Sequence, residues 1–227
     1  MAGTLKAGIL VSFEGIEGCG KSTQIVLLAE RLRKLDRKVV ISREPGATAL
    51  GKELRNLLLD PVHNPDALTE LLLYLADRRE HCRRVITPAL IRGDIVLLDR
   101  FIDSTWVYQG FAASAAAEIG DRAAVSAETI DNLNRLVVGS NWPDLTFLLD
   151  CPAEVGLTRA RRRNLENGEV GVADRFEQRH LDFHEQVRAG FLHLAEAEKR
   201  RFFVIDAKQQ VEDIHNDIWQ AFSRRIG

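Results

Sequence analysis

The fold of this chain is decided by the stretch Gly15-Ile16-Glu17-Gly18-Cys19-Gly20-Lys21-Ser22-Thr23, which matches the phosphate-binding pattern G-x-x-x-x-G-K-[ST]. Residues 8–13 before it form a short apolar run rich in strand-forming side chains. Residues 23–32 after it carry apolar side chains at helical spacing. A strand, a glycine-rich turn and a helix start therefore follow one another as the motif requires. Because backbone N–H groups at a helix N-terminus attract phosphate, the stretch predicts a site for a nucleoside triphosphate.

Two side chains of this loop have distinct predicted roles. Lys21 reaches the outer phosphates, and the hydroxyl of Ser22 offers an oxygen to Mg²⁺. We also predict a lowered pKa for the Cys19 thiol, which lies at a helix N-terminus beside Lys21; the alternative is a small residue that simply fits the loop. The residues expected to contact the triphosphate are Gly15, Gly18, Cys19, Gly20, Lys21, Ser22 and Thr23.

The composition argues against several classes of protein. With 31 Lys and Arg against 33 Asp and Glu, the net charge of −2 gives no sign of a nucleic-acid-binding face. No apolar stretch reaches the roughly 18 residues of a membrane span, and no secretory leader is evident. The three cysteines are scattered without C-x-x-C spacing, which argues against zinc and disulfides. We therefore expect a cytoplasmic protein that binds neither nucleic acid nor membrane.

Four further apolar runs predict the rest of a sheet. They occupy residues 38–42, 94–100, 145–150 and 201–206, and helical patterns lie between them, for example at 49–59, 126–138 and 211–225. Strand–helix–strand units of this length are parallel and right-handed. The sequence thus predicts an α/β fold of the P-loop NTPase type, a five-stranded parallel sheet with helices on both faces. We expect one domain spanning residues 1–227.

Charged residues follow two of these strands at their carboxyl ends, where open α/β sheets bind ligands. Arg43 and Glu44 come after the second strand, with a solvated surface pair as the alternative. Asp99 ends the third strand, where NTPases hold Mg²⁺, and Glu44 is a further candidate for that ion through a bound water. Arg100 comes next and is expected to face a second anionic group.

Further candidates lie on the helix after residue 66 and on the segment after the third strand. Tyr74 and Arg78 are four residues apart and share a helix face, where they would stack on a flat base and donate to its carbonyl oxygen. The pattern alone favours a tyrosine at the core edge and a solvated arginine. Thr105, Tyr108 and Gln109 fall on a segment that we predict to be rich in turns.

The basic run Arg159-Ala160-Arg161-Arg162-Arg163 leads into a polar stretch, residues 164–173, without periodicity. It predicts a mobile lid over about residues 159–175 that brings guanidinium groups onto phosphates. A solvated run of charge is the alternative, and without a triphosphate site it would be favoured. His180 and His184 have metal-ligand spacing, but no third ligand is evident, so packing or a solvated face is the favoured interpretation.

Two anion sites that face each other indicate a class of reaction. Arg43, Arg78 and Arg100 form a predicted second site opposite the phosphate-binding loop, which favours phosphoryl transfer to a phosphorylated acceptor. Such transfer needs little acid–base help, because a phosphate monoester has a second pKa of about 6 and is mostly ionised at pH 7. The alternative is a binding or switch module that hydrolyses ATP without an acceptor. The absence of the guanine-reading motif N-K-x-D weakens the switch.

Taken in order, the motifs resemble those of the bacterial thymidylate kinase family over nearly the whole chain. The resemblance implies the nucleoside monophosphate kinase type of fold, a homodimer, and Mg²⁺-dependent phosphoryl transfer from ATP to dTMP, giving ADP and dTDP. A kinase for another nucleoside monophosphate is the enzymatic alternative. The resemblance is carried by residues 13–23, Arg43-Glu44-Pro45-Gly46, Ala76-Asp77-Arg78, Asp99-Arg100-Phe101, Tyr108-Gln109-Gly110, Pro143-Asp144-Leu145-Thr146 and Asp174-Arg175-Phe176-Glu177.

The resemblance also implies roles for single residues in binding dTMP. Arg43 and Arg100 would hold its phosphate, Glu17 would lie near the 3′-hydroxyl, and Tyr108 would leave no room for a 2′-hydroxyl. At the base, Tyr74 would stack on thymine. The remaining implied contacts are Arg78 on the 4-oxo group, Gln109 near the base and Thr105 in the same pocket.

One departure bears on catalysis. The family has two layouts, one with an arginine inside the phosphate-binding loop and one with the catalytic arginine in the lid. Gly18 occupies the loop position here, so the chain resembles the second layout, and we expect Arg163, then Arg161, to supply the charge. The catalytic set implied by the resemblance is Lys21, Asp99, Arg100, Arg161 and Arg163.

Overall fold

The computed structural model describes residues 7–63, 65–113, 125–166 and 179–226. Its centre is a sheet of five strands whose order is β2-β3-β1-β4-β5, and every pairing is parallel. The predicted sheet is confirmed, and each strand lies within one residue of its predicted ends. The strands are β1 (Ile9–Glu14), β2 (Val39–Arg43), β3 (Ile95–Asp99), β4 (Leu145–Asp150) and β5 (Phe202–Asp206).

Helices connect the strands. Two of them begin at side-chain caps that the sequence predicts: Asp66 accepts bonds from the N–H groups of Leu68 and Thr69, and Ser126 accepts one from Thr129. None of the helices in the described ranges is long and apolar enough to cross a bilayer. The helices are α1 (Lys21–Arg33), α2 (Ala49–Leu59), α3 (Ala67–His81), α4 (Thr87–Ile91), α5 (Ile102–Thr105), α6 (Ala127–Val138), α7 (Ala153–Glu166), α8 (Leu181–Ala197) and α9 (Val211–Ile226), with π-helical segments Cys82–Ile86 and Trp106–Phe111.

The core lies on the two faces of the sheet. The central strands β1, β3 and β4 are buried almost throughout, as parallel strands covered by helices on both faces are. The rings of Phe13 and Phe147 pack with their centroids 5.3 Å apart. Ser12 and Thr146, which are polar and fully buried, satisfy each other through a 2.8 Å hydrogen bond between hydroxyls.

The topology places the phosphate-binding loop at the centre of the molecule. β1 lies between β3 and β4, and the loop follows its carboxyl end. Phe13 of β1 pairs with Asp99 of β3, so these two strands end side by side. Strand order changes direction at this point, because β2 lies beyond β3, and open α/β sheets bind ligands in such a crevice.

Two segments differ from their predictions. Residues 105–110, predicted to be rich in turns, are helical. Gly110 serves close packing there, because a Cβ atom on it would approach Cδ1 of Ile130 to 2.9 Å. The basic run 159–163 lies within α7 rather than in a loop. The later part of the predicted lid, from residue 167, and the motif at 174–177 lie outside the described residues.

Candidate active site

The phosphate-binding loop folds over its own lysine. The ammonium group of Lys21 donates to the carbonyl oxygens of Gly15 at 3.2 Å and Ile16 at 2.8 Å. Gly20 has a φ of 97°, which glycine adopts readily, and α1 starts at the next residue. The loop therefore delivers its lysine to the N-terminus of a helix, the arrangement that binds phosphate.

The prediction of a lowered pKa for Cys19 is wrong. Its side chain is 1% exposed, and burial raises the pKa of the thiol although Lys21 and Arg100 act in the opposite direction. The sulfur lies 3.6 Å from the ammonium nitrogen of Lys21, but it belongs to the hydrophobic core beneath the loop. Cys19 is the small residue that fits the loop.

A cleft of about 1160 Å³, open to solvent and here called the phosphate cleft, lies against the loop. Of the residues expected to contact the triphosphate, five line this cleft and two, Gly15 and Cys19, do not; the five are Gly18, Gly20, Lys21, Ser22 and Thr23. Five guanidinium groups also line this cleft, those of Arg43, Arg55, Arg100, Arg159 and Arg163. This concentration of fixed positive charge suits a polyanionic ligand.

Two oxygen donors suited to Mg²⁺ meet in this cleft. The hydroxyl of Ser22 donates to a carboxylate oxygen of Asp99 at 2.9 Å, so one ion can be shared by both. Mg²⁺ prefers oxygen ligands and is usually held by one or two protein groups together with substrate phosphates. Glu44 does not fit this role, because its two oxygens already accept from Arg78 at 2.8 Å and contact His81 at 2.9 Å.

A second cleft of about 690 Å³, here called the base cleft, adjoins the first. Its lining combines aromatic surface with hydrogen-bonding groups, as sites for flat ligands do. Glu17, Glu44, Arg55 and Arg100 line both clefts, so the two are continuous. The predicted residues that line the base cleft are Tyr74, Arg78, Thr105, Tyr108 and Gln109.

The side chain of Arg78 is fixed before any ligand binds. It is 1% exposed, and its guanidinium donates to Glu44 (2.8 Å), Thr105 (2.7 Å), Asn134 (2.9 Å) and the Phe101 carbonyl (3.0 Å). The helical pattern alone favoured a solvated side chain for Arg78, and that interpretation is wrong. Since a guanidinium has five N–H groups, one is left for a ligand in the base cleft.

Arg100 stands at the junction of the two clefts. Its φ of 69° lies in the left-handed region, where residues other than glycine are strained. Its guanidinium donates to the hydroxyl of Ser104 at 3.2 Å and lies 5.2 Å from the centre of the Tyr108 ring. An anion in either cleft would meet the same guanidinium.

Glu17 holds two of these arginines in place. One of its oxygens accepts from Arg163 at 3.0 Å, and the other lies 3.7 Å from Arg100. Burial opposes ionisation of this carboxyl, but Lys21, Arg100 and Arg163 outweigh it and lower its pKa to about 2. Glu17 is therefore a carboxylate at every physiological pH.

Helix α7 packs directly on the phosphate-binding loop. A Cβ atom on Gly18 would overlap the carbonyl oxygen of Gly156, and one on Gly156 would overlap the carbonyl oxygen of Glu17. An arginine at position 18 therefore has no room while α7 lies here. Arg159 and Arg163 follow Gly156 by three and seven residues and fall on the same helix face.

The four arginines of the basic run are divided by this geometry. Arg159 and Arg163 line the phosphate cleft, and Arg159 also donates to the Ala207 carbonyl at 2.8 Å. Arg162 is exposed and pairs with Glu166 at 3.5 Å. Arg161 is exposed and lines neither cleft, so the structure does not bring this predicted catalytic residue to the site.

Sequence reasoning missed three polar residues that line the base cleft, namely Arg55, Ser104 and His184. Arg55 of α2 lines both clefts and donates to the Pro45 carbonyl at 3.0 Å. The sequence offers little to predict this position, only that Arg55 is a cation on α2, the helix after the loop that follows β2. His184 of α8 is buried at the cleft wall. Its four-residue spacing from His180 suggested only a metal site, and this spacing does not predict a place in the wall of the base cleft.

The parallel sheet, the phosphate-binding loop and the joined clefts define a class of protein, the P-loop nucleoside monophosphate kinases. Comparisons narrow the class. The family model for thymidylate kinase matches residues 13–218. A thymidylate kinase of Geobacter sulfurreducens is 47% identical over 206 residues, covering 90% of this chain and 92% of that protein. The chain belongs to the thymidylate kinase family.

Other relatives agree with this assignment. A thymidylate kinase of Halothermothrix orenii is 44% identical over 212 residues, covering 93% of this chain and 95% of that protein. The crystal structure of thymidylate kinase from Ehrlichia chaffeensis superposes with a TM-score of 0.72 at 33% identity, covering 95% of this chain and 98% of that one. The resemblance seen in the motifs is thus confirmed along nearly the whole chain.

Proposed function

We propose that this chain transfers the γ-phosphoryl group of ATP to dTMP, forming ADP and dTDP. The observation that carries the proposal is the continuity of the two clefts at Arg100. A triphosphate held by the phosphate-binding loop and a monophosphate held from the base cleft would bring donor and acceptor phosphates to the same guanidinium. Positioning and charge neutralisation then account for catalysis, without a general base.

On the donor side, the loop and Lys21 would bind the phosphates of ATP. Ser22 and Asp99 are the residues that would hold Mg²⁺, which when bound supplies charge neutralisation at the outer phosphates. Arg163 and Arg159 would add positive charge around the transferred group, because α7 already directs both into the phosphate cleft. Arg163 remains our first choice as the catalytic lid arginine, and Arg159 replaces Arg161 as the second.

On the acceptor side, Arg43, Arg55 and Arg100 would hold the phosphate of dTMP, since all three line the phosphate cleft. Glu17 would accept from the 3′-hydroxyl of the sugar. Tyr108 lines the base cleft beside Arg100, where it would exclude a 2′-hydroxyl.

At the base, Tyr74 would stack on thymine, and the remaining N–H group of Arg78 would donate to the 4-oxo oxygen. Gln109 is buried in the same wall and donates to Glu70 at 2.7 Å. Thr105 would act through Arg78, whose guanidinium it accepts from. Because these side chains are already hydrogen-bonded, the site would bind a pyrimidine with little rearrangement.

A comparison of acceptors tests this assignment. An ADP-release assay with ATP and Mg²⁺ compares dTMP, dUMP, UMP, dCMP and AMP. We expect rapid turnover with dTMP, weaker turnover with dUMP, and negligible turnover with the others. Equal kcat/KM values for dTMP and UMP would contradict the proposal, and turnover that does not depend on an acceptor would favour a hydrolysing switch module.

Replacement of Tyr74 tests the base cleft itself. Tyr74→Ala should reduce kcat/KM for dTMP by roughly 10- to 100-fold, because base–aromatic stacking contributes about 1–3 kcal/mol. The control is Arg79→Ala, an exposed position on the same helix, which should leave dTMP kinetics unchanged. Equal effects of the two substitutions would contradict a stacking role.

The same family supports proposals about the whole protein. We propose a single domain over residues 1–227, active in the cytoplasm as a homodimer and bound to neither nucleic acid nor membrane. The three cysteines are free, as expected in a reducing compartment. Leu68 and Leu72 lie one turn apart on α3 and are 49% and 51% exposed, an apolar surface that a second copy would cover. Light scattering should give twice the 25.5 kDa chain mass; the mass of one chain would contradict the dimer.

A further inference from the structure

Glu14 is a buried carboxyl group that neither cleft contains. It is the last residue of β1 and is fully buried. Ion burial is unfavourable unless the charge is well bonded. Burial and the nearby Asp103 raise the pKa of Glu14 to about 8, while Arg100 acts in the opposite direction. A group kept in such a place needs a structural reason.

That reason lies in its two hydrogen bonds, which are made to the residues that follow Arg100. One carboxyl oxygen accepts from the backbone N–H of Phe101 at 2.8 Å, and the other is bonded to the hydroxyl of Ser104 at 2.6 Å. The Ser104 hydroxyl in turn accepts from the guanidinium of Arg100 at 3.2 Å. Glu14 thus contacts the chain after Arg100 and, through one hydroxyl, its side chain.

The backbone of Arg100 requires such support. Its φ of 69° costs free energy, and strained residues persist only where their surroundings fix them. The N–H of Arg100 donates to the Phe13 carbonyl at 3.0 Å, and Phe13 directly precedes Glu14. The end of β1 therefore bonds to residues 100, 101 and 104 in succession.

We infer that Glu14 is a positioning residue that holds Arg100 at the junction of the two clefts through Phe101 and Ser104. The inference rests on the proposed role of Arg100 in binding phosphates. Glu14 lines neither cleft, so a substrate bound there would not touch it. Its effect on the reaction is carried by the guanidinium whose backbone and side chain it fixes.

A double-mutant cycle between Glu14 and Arg100 tests the inference in the full-length protein. Glu14→Ala should lower kcat/KM for dTMP on the order of 10²-fold, the size of effect expected when a catalytic group is displaced by about 1 Å. If Glu14 acts through Arg100, the same substitution in an Arg100→Ala background should cost less than about 3-fold. Equal costs in both backgrounds would overturn the inference.

Two further variants keep the test decisive if Glu14→Ala folds poorly. Glu14→Gln keeps an acceptor for the N–H of Phe101, and its amide can donate to the Ser104 hydroxyl in place of the bond that this hydroxyl donates to Glu14. It should therefore keep activity within about 3-fold of wild type. Ser104→Ala removes one bond to Glu14 and the contact to Arg100, so it should lose part of the dTMP activity. Wild-type kinetics in both Glu14→Ala and Ser104→Ala, or severe loss in Glu14→Gln, would contradict a positioning role.

Asp94 supplies the matched control. It is a buried carboxyl group at the opposite end of β3, paired with Arg92 at 2.8 Å. Asp94→Ala should lower the melting temperature while leaving kcat/KM for dTMP unchanged. A similar fall in kcat/KM for dTMP in Asp94→Ala would show that Glu14 is merely structural. Turnover by the unmodified chain tests the proposed function separately, so the two ideas can fail independently.

Discussion

At the scale of single residues, Glu17 is the carboxylate of the phosphate cleft that pairs with two of its arginines. Glu17 contacts Arg163 and Arg100, which belong to different parts of the chain. Its two oxygens contact these two guanidinium groups at 3.0 Å and 3.7 Å. Phosphates that enter the cleft would compete for the same arginines, so binding would exchange one anion for another rather than bring bare cations together.

The lowered pKa of Glu17 has a consequence for stability. The carboxyl titrates at about 2 in the folded chain and at 4.5 ordinarily, so its ionised form stabilises the fold above pH 4.5. That contribution is lost as pH falls from 4.5 towards 2. The difference in melting temperature between wild type and Glu17→Gln should therefore be constant from about pH 7 to 5 and shrink at lower pH.

The exposed carboxylate Glu53 provides a control for this titration. Glu53→Gln should change the melting temperature little across the same pH range. A difference between wild type and Glu17→Gln that stays constant or grows on acidification would show that the pKa of Glu17 is not lowered.

Arg78 shows what the sequence cannot reveal about a residue. Its position beside Tyr74 was predicted from helical spacing, but the pattern favoured a solvated arginine. Its partner Glu44 is 34 residues away in sequence, directly after β2. No local pattern reports such a pair. From the sequence alone, a base-binding role for Tyr74 and Arg78 could therefore be stated only beside its alternative, a core-edge tyrosine and a solvated arginine.

At the scale of elements, the contact between α7 and the phosphate-binding loop determines which arginines of α7 line the phosphate cleft. Gly18 has a φ of 70°, and Gly156 lies against it. With this contact in place, the loop cannot carry a side chain at position 18, and α7 supplies Arg159 and Arg163 instead.

Gly156→Ala should separate α7 from the loop, because the new methyl group would overlap the Glu17 carbonyl oxygen. We expect kcat to fall on the order of 10-fold or more, since Arg159 and Arg163 would be displaced together. Steady-state kinetics with ATP and dTMP measure the loss. Thr158→Ala, an exposed position on the same helix, is the control and should behave as wild type. Unchanged kcat in Gly156→Ala would show that this contact does not position the arginines.

Elements were predicted well where local signals decide them. The caps at Asp66 and Ser126 and the apolar runs of the strands are local, and these helices and strands lie where expected. The helix around Gly110 was missed because a glycine can mark either a turn or a place where two elements pack closely. A single sequence does not distinguish these two roles. In this fold Gly110 packs closely against Ile130.

At the scale of the whole molecule, the order of the motifs predicted the sheet, the loop and the class of reaction. It could not predict which residues meet across the chain. Arg55 lines both clefts because α2 packs beside the loop that contains Pro45. Arg161 lines neither cleft because it lies on an exposed side of α7. Both facts depend on how elements pack, and packing is not written in the spacing of any one motif.

The central claim is that the two continuous clefts hold ATP and dTMP together, so that the γ-phosphoryl group passes directly from one to the other. Transfer of label from [γ-³²P]ATP tests it most directly. With the unmodified chain, Mg²⁺ and dTMP, the label should appear in dTDP, and release of inorganic phosphate should stay low. Label released as inorganic phosphate at a rate that dTMP does not change would contradict the account.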